Sequence, residues 1–174
     1  MEPLFKLYGS RWLLVFSLIS MVVCSIGFNE LQMRLGASII DALLGGYDFQ
    51  TVQERFLIYG EDGRALYARA ALTLDIFYPV VYSTFFAGLI IMGAVSPGAR
   101  YLVLVPLLTA FLDIGENVSI YLLLTNFPAI TEAEVLRASS LTIAKWWAVA
   151  FTLVIAFGQL ALRLAMLTVA RLRR

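Results

Sequence analysis

Four long apolar stretches dominate the sequence and limit what it can fold into. They cover residues 12–28, 70–94, 101–125 and 141–162. Because an α-helix rises about 1.5 Å per residue, each stretch is long enough to cross the ~30 Å hydrocarbon core of a bilayer with little or no tilt. The sequence therefore predicts an all-α fold, an integral membrane bundle of four transmembrane helices.

The composition supports a membrane protein over a water-soluble one. Of the 174 residues, 61% are hydrophobic and only 14% are charged, whereas soluble domains are roughly half apolar and one quarter charged. A soluble fold of this size has too little interior to bury so much apolar surface. We therefore expect residues 1–174 to form one transmembrane domain whose main partner is the lipid bilayer.

Several classes of site are excluded by composition. The chain has no histidine, which removes haem with His ligation, His-ligated zinc and His-based catalytic triads. Its net charge is only +1 and it carries no nucleic-acid-binding motif, so no nucleic acid is expected as a partner. The cofactor stays unknown, with a divalent cation as one candidate.

The link between the first two stretches, residues 29–69, is too long and too apolar to be a simple loop. Apolar side chains recur in it at helical spacing: Leu31, Leu35, Ile39 and Leu43, then Phe49, Val52 and Phe56. This periodicity predicts one or two short amphipathic helices. They would lie at the membrane interface or pack on the end of the bundle, and the sequence leaves both alternatives open.

The remaining links are short and carry clear turn signals. Ser96-Pro97-Gly98 predicts a tight turn that makes the second and third helices antiparallel neighbours. Thr131 followed by Glu134 predicts the start of the fourth helix. Aromatic residues near the helix ends are interpreted as a membrane-interface belt, namely Trp12, Tyr101, Trp146 and Trp147.

Basic residues near the helix ends predict the orientation. One side carries Lys6, Arg11, Arg100, Arg163, Arg171, Arg173 and Arg174, and the other carries Arg34, Arg55, Arg64, Arg69 and Arg137. The first side combines short segments with a single acid, Glu2. We therefore expect both termini in the cytoplasm and the protein in the cytoplasmic (inner) membrane of a bacterium.

Polar side chains inside the apolar stretches point to a functional site, because each ionisable group at a helix centre costs ~2.5–3.5 kcal/mol to insert. On each helix these side chains share one face. The candidate ligand- or cation-binding residues are Asp75, Tyr78, Tyr82, Asp113, Glu116, Asn117, Tyr121 and Lys145. Folding the helices back at their turns places Asp75, Asn117, Tyr121 and Lys145 at one level.

The charges of this cluster do not balance, because Asp75, Asp113 and Glu116 face only Lys145. Three resolutions are open: some carboxyl groups stay protonated, a cation binds, or Arg64 or Arg69 reaches down to compensate the charge. Arg64 is also the candidate for gating the site. In addition, Pro79 has no backbone N–H, so the carbonyl of Asp75 is left free as an acceptor.

The segment Asp113-Ile-Gly-Glu-Asn117 is the densest part of the cluster. Asp113, Glu116 and Asn117 supply the oxygen atoms that hard metal cations prefer, and the same carboxyl groups could instead relay protons. Gly115 is expected to let a neighbouring helix approach closely.

Three functions are therefore compatible with the sequence. The leading one is a multi-pass membrane protein whose acidic site binds a cation, a proton, or a cationic or lipid-like amphiphile. The second is a structural or assembly subunit in which the polar cluster only fixes helix packing. The third, an enzyme that acts on a lipid through carboxylates or a metal, ranks last because no nucleophile is evident. Four helices form a narrow bundle, so transport would require a homo-oligomer.

Overall fold

The structure, a computed structural model, describes residues 1–173; Arg174, counted above among the basic terminal residues, lies outside the described residues. Its helices are α1 (Glu2–Tyr8), α2 (Arg11–Leu35), α3 (Phe49–Leu72), α4 (Leu74–Gly93), α5 (Leu104–Asn126) and α6 (Glu132–Leu172), with 3-10 segments at Ile40–Ala42 and Gly98–Val103. No strand occurs among residues 1–173, so the prediction of an all-helical fold is confirmed.

Four helical stretches are long and apolar enough to cross a membrane. They are Arg11–Leu35, Phe49–Gly93, Gly98–Asn126 and Glu132–Leu172. The second contains both α3 and α4, because only Thr73, with φ −121° and ψ −81°, separates the two helices. The number of candidate spans therefore equals the number of apolar stretches in the sequence.

Helix α4 is the centre of the bundle. It packs against α2, α5 and α6, and α5 packs in turn against α6. A β-carbon at Gly93 of α4 would lie only 3.0 Å from the backbone nitrogen of Leu160 on α6, so glycine permits this close helix contact. By contrast, α2 and α6 share almost no contacts, which leaves a gap between them.

The link between the first two apolar stretches is shorter than the sequence suggested. Helix α2 continues to Leu35 and ends at Gly36, whose φ of 68° is the left-handed conformation typical of a helix C-terminus. Helix α3 then begins after Asp48, whose side chain accepts a hydrogen bond from the backbone N–H of Thr51. Hydrogen bonds from the Thr51 side chain and backbone lower the pKa of Asp48.

Helix α3 packs on the end of the bundle with several apolar side chains buried, while Leu57 and Ile58 stay exposed. Val52 and Phe56 are completely buried, in a core shared with Leu35, Tyr67 and Ile120. A break at Gly60, with φ 66° and ψ −179°, lets the first half of α3 fold over this core. We call the end of the bundle that carries residues 36–48 and 127–131 the loop end.

Helix α6 is 41 residues long and extends well beyond the predicted 141–162. It begins with the expected capping box, in which Thr131 and Glu134 satisfy each other's backbone N–H groups. No proline interrupts it, so the helix continues past Arg163, and the side chains of residues 161–173 are exposed. At that level the Arg163 guanidinium donates to the Met92 carbonyl of α4.

Candidate functional site

The buried ammonium group of Lys145 on α6 lies among carboxyl groups from two other parts of the fold, α5 and the Ile40–Ala42 turn. Its Nζ atom is 2.5 Å from Oε2 of Glu116, 3.8 Å from Oδ1 of Asp113 and 4.0 Å from Oδ2 of Asp41. All four side chains are less than one tenth exposed. Since a buried charge is tolerated only when it is paired, this ammonium group anchors the cluster.

Asp41 belongs to the buried cluster although it was not predicted as a site residue. It lies in the 3-10 segment Ile40–Ala42, and its Oδ1 accepts a hydrogen bond of 2.9 Å from the Tyr67 hydroxyl. Its backbone carbonyl accepts from Nε1 of Trp146 at 3.0 Å and from Nζ of Lys145 at 3.4 Å. These contacts hold the segment over the loop end of the cluster.

Trp146 therefore has a different role from the interface-belt residue predicted above. Besides its bond to the Asp41 carbonyl, its indole ring lies 5.4 Å from the Lys145 ammonium. That distance is within the range of a cation–π interaction. Its neighbour Trp147 is 65% exposed and remains on the outer surface of α6.

Glu116 is fully buried and connects the cluster toward the loop end. Its Oε1 accepts a hydrogen bond from the Thr142 hydroxyl, while its Oε2 faces Lys145. The Thr142 hydroxyl lies 3.3 Å from the Tyr47 hydroxyl. Both carboxyl oxygens of Glu116 therefore contact protein groups, and this side chain helps to hold Lys145 in place.

Asp113 is held from two helices. Its Oδ2 accepts a hydrogen bond of 3.0 Å from the Tyr82 hydroxyl of α4, and its Oδ1 lies 3.3 Å from Nδ2 of Asn117. Asn117 also donates to the backbone carbonyl of Asp75. That carbonyl is the one that Pro79 leaves free, so the proline of α4 creates the acceptor that Asn117 uses.

Asp75 differs from the other three carboxyl groups of the cluster. Lys145 forms ion pairs with Asp41, Asp113 and Glu116, and no basic side chain within residues 1–173 forms one with Asp75. Its carboxyl group lies beside that of Asp41 and is 4% exposed as a residue. Four buried carboxyl groups thus share one ammonium group, a formal excess of three negative charges when all are ionised.

A cavity of about 340 Å³ adjoins this cluster and is partly open on one side. Such a volume lies within the range of ~300–1,000 Å³ that small-molecule sites occupy. Its polar wall is formed by Asp41, Asp75, Asp113, Lys145, Thr152 and Gln32. Its remaining wall is apolar or aromatic and is formed by Met21, Phe28, Ile39, Ala42, Tyr78, Tyr82, Phe86, Trp146, Val149 and Leu153.

Three aromatic rings stand in sequence along the wall formed by α2 and α4. The ring of Tyr78 meets Phe28 edge-on at 5.3 Å and Tyr82 edge-on at 5.4 Å between centroids. Tyr78 and Tyr82 are one turn apart on α4, which also carries Asp75 at its start. The α4 face predicted from spacing therefore lines the cavity with one carboxyl group and two phenol rings.

Two predicted site residues lie outside this arrangement. Arg64 does not compensate the acidic cluster, because its guanidinium donates to the Phe56 carbonyl at 2.8 Å and lies 4.8 Å above the Phe127 ring. These contacts, beside the Gly60 break, direct the guanidinium away from the carboxyl groups. Tyr121 packs against the loop-end core and does not line the cavity, because its direction on α5 points toward α3.

Two of the predicted metal ligands, Asp113 and Glu116, lie against the Lys145 ammonium group. No group of three or more His, Cys, Asp or Glu side chains within residues 1–173 is placed to hold a metal ion. Asp113 and Glu116 both turn to the Lys145 ammonium, and Asn117 presents its N–H₂ group to the cluster. An ammonium group thus lies where a metal ion was expected. Gly115 also makes no close helix contact, since a β-carbon there would meet open space.

A sequence signal for Asp41 did exist. It is a lone acid within the apolar run Ile39-Ile40-Asp41-Ala42-Leu43, and the rule that identified Asp75 applies equally to it. The segment is too short to be a membrane span, so its acid does not stand out as an intramembrane charge. Tyr67 and Thr142 carried no comparable signal, because single hydroxyl groups are common on helices.

Comparison of the chain with protein-family models, with curated proteins and with solved structures finds no match.

Proposed function

We propose that the protein is a multi-pass membrane protein that binds an organic cation in the cavity beside Asp75. The observation that carries this proposal is the uncompensated Asp75 carboxyl group in the cavity wall. A carboxylate buried without a positive partner is unfavourable, so a bound cation would stabilise the protein as well as fill the cavity.

The aromatic side chains of the cavity support an organic cation over a metal ion. Tyr78, Tyr82 and Trp146 line the same space as Asp75. Aromatic faces attract quaternary and other weakly hydrated ammonium groups, with ~0.5–2 kcal/mol per favourable contact. A metal ion would require several oxygen ligands, and most carboxylate oxygens here are taken by Lys145 and hydroxyl groups.

We further propose that the cavity lies within the cytoplasmic membrane of a bacterium, with both termini in the cytoplasm. From Lys145 to Arg163 on α6, and from Asp75 to Gly93 on α4, the distance is about 27 Å at 1.5 Å per residue. If Arg11, Arg100 and Arg163 mark one boundary of the hydrocarbon, the acidic cluster lies close to the opposite boundary. A cationic headgroup could reach it there.

The test is binding of tetramethylammonium to protein purified in a neutral detergent, read as a shift of the thermal melting temperature. Sodium chloride at the same ionic strength is the reference salt. We expect saturable stabilisation of the wild type, and at least tenfold weaker binding by Asp75→Asn, because the amide removes the unpaired charge and keeps the shape.

Asp62→Asn is the matched control, because Asp62 is an exposed carboxyl group of α3 that does not line the cavity. It should bind tetramethylammonium as the wild type does. The proposal fails if the wild type shows no saturable response, or if Asp75→Asn responds as strongly as the wild type.

A second candidate function is a purely structural one, in which the polar cluster fixes helix packing. It is favoured by the fact that Asp41, Asp113 and Glu116 are each hydrogen-bonded or ion-paired to other helices. In that case Asp75→Asn should alter the melting temperature without added ligand, and tetramethylammonium should have no effect on either protein.

A further inference from the structure

The cavity extends beyond the acidic cluster into an apolar region that a small cation alone would leave empty. We infer that its ligand is a single-chain cationic amphiphile, with the headgroup at Asp75 and the chain in the gap between α2 and α6. This inference rests on the proposed function and adds the ligand class.

The length of the cavity supports an alkyl chain. Its lining runs from Asp75 to Phe86 on α4, about 16 Å at 1.5 Å per residue, and from Lys145 to Leu153 on α6, about 12 Å. On α2, which runs in the opposite direction, it extends from Gln32 at the polar end to Met21 at the other end. All three helices therefore describe one elongated slot.

The polarity of the slot changes along its length. The charged residues Asp41, Asp75, Asp113 and Lys145 lie together toward the end near the Ile40–Ala42 segment. The far end is lined by Met21, Phe86 and Leu153, with only the Thr152 hydroxyl as a polar group, and that hydroxyl bonds to Thr109 at 2.9 Å. A ligand with one charged end and one apolar end matches this distribution.

The open side of the slot faces the lipid-like surface of the bundle. Helices α2 and α6 flank it, and each packs on α4 with almost no contact to the other. The outer surfaces of these two helices carry exposed apolar side chains, such as Val22 at 54% and Phe151 at 60%. Such a surface is suited to hydrocarbon, so the chain of a ligand would lie between protein and lipid.

The loop end of the slot is covered. Trp146 and Lys145 both bind the backbone carbonyl of Asp41, and Tyr67 binds its side chain. These bonds hold the Ile40–Ala42 segment across the polar end, and Ile39 and Ala42 complete the cover. The gap between α2 and α6 is consequently the side on which an elongated ligand can project from the site.

The experiment compares tetramethylammonium with dodecyltrimethylammonium, which share a headgroup and differ in the chain. Binding constants are measured for protein in lipid nanodiscs for the wild type, Leu153→Trp, Val154→Trp and Asp75→Asn. Partitioning of the long probe into lipid is the same for every variant, so ratios between variants report the cavity alone.

Leu153→Trp fills the apolar end of the cavity. We expect it to weaken the binding of dodecyltrimethylammonium at least tenfold and to change the binding of tetramethylammonium less than twofold. Val154→Trp places the same ring on the exposed side of α6 and should change neither. If Leu153→Trp does not fold, Met21→Trp fills the same end from α2 and takes its place.

The inference is overturned if Leu153→Trp leaves the binding of both probes unchanged, or weakens it equally for both, while Asp75→Asn still loses the binding of tetramethylammonium. The proposed function fails, in contrast, if Asp75→Asn binds both probes as the wild type does. The two ideas can thus fail separately.

Discussion

At the scale of single residues, Lys145 determines how the acidic cluster can exist. Its ammonium group faces Glu116, Asp113 and Asp41 at 2.5, 3.8 and 4.0 Å, in surroundings that exclude water almost completely. Removing one member of a buried ion pair costs more than the pair contributes, because the remaining charge has lost both water and its partner. Lys145 should therefore matter more for folding than any exposed charge.

We expect Lys145→Met to lower the free energy of unfolding by about 3–5 kcal/mol, since methionine keeps the volume and leaves the carboxyl groups unpaired. The measurement is thermal or denaturant unfolding in a neutral detergent. Arg137→Met is the control, because Arg137 is an exposed cation on the same helix. It should change stability by less than ~0.5 kcal/mol.

The double variant Lys145→Met/Glu116→Gln should recover part of the loss, because the closest carboxylate is then neutral. Unfolding of Lys145→Met at the wild-type midpoint would contradict the central role of this ammonium group.

At the scale of elements, α3 shows how one glycine directs a helix. Gly60 has φ 66° and ψ −179°, a region that residues with a side chain hardly enter. Beside this break the Arg64 guanidinium donates a hydrogen bond of 2.8 Å to the Phe56 carbonyl. As a result Phe56 and Val52 pack over the loop end of α5.

Gly60→Ala should therefore destabilise the protein by about 1–3 kcal/mol, the usual cost of such a strained backbone position. No atom lies within 4 Å of the position that the new β-carbon would take, so the effect would come from the backbone and not from a clash. Unfolding in detergent and protease cleavage near residue 60 measure it.

Gly115→Ala is the matched variant, because Gly115 also has open space around it but lies inside α5 with a helical backbone. Alanine there should stabilise the helix by about 0.5–1 kcal/mol. Equal effects of the two substitutions would show that the φ angle of Gly60 is not the deciding feature.

At the scale of the whole molecule, the bundle has two chemically different ends. One end carries Arg11, Arg100 and Arg163, and the other is the loop end with its separate core of Tyr67, Phe56 and neighbours. The polar cavity lies between that core and the apolar bundle. The orientation of the protein in the membrane therefore determines which leaflet would supply the proposed ligand.

The proposed orientation predicts which introduced cysteines react with a membrane-impermeant maleimide in intact cells. In a Cys24→Ala background, Glu61→Cys and Ala129→Cys at the loop end should be labelled, since both positions are exposed. Glu2→Cys and Arg171→Cys should be labelled only after lysis. A permeant maleimide labels all four and serves as the control.

The reverse pattern would place the termini outside and refute the orientation by basic residues. Labelling of Glu2→Cys and Ala129→Cys on the same side would refute an odd number of crossings between them.

The sequence by itself determined the helical class, the four apolar spans, the capping box at Thr131 and the face on which Asp75, Tyr78 and Tyr82 lie. These features are local, since helix periodicity and caps depend on residues a few positions apart. Only the tertiary structure decided that Lys145 meets Glu116, that Asp41 joins them, and that Arg64 and Tyr121 turn away. Periodicity gives the face of a helix but not the helix or loop that faces it, and Asp41 reaches Lys145 across 104 residues of chain.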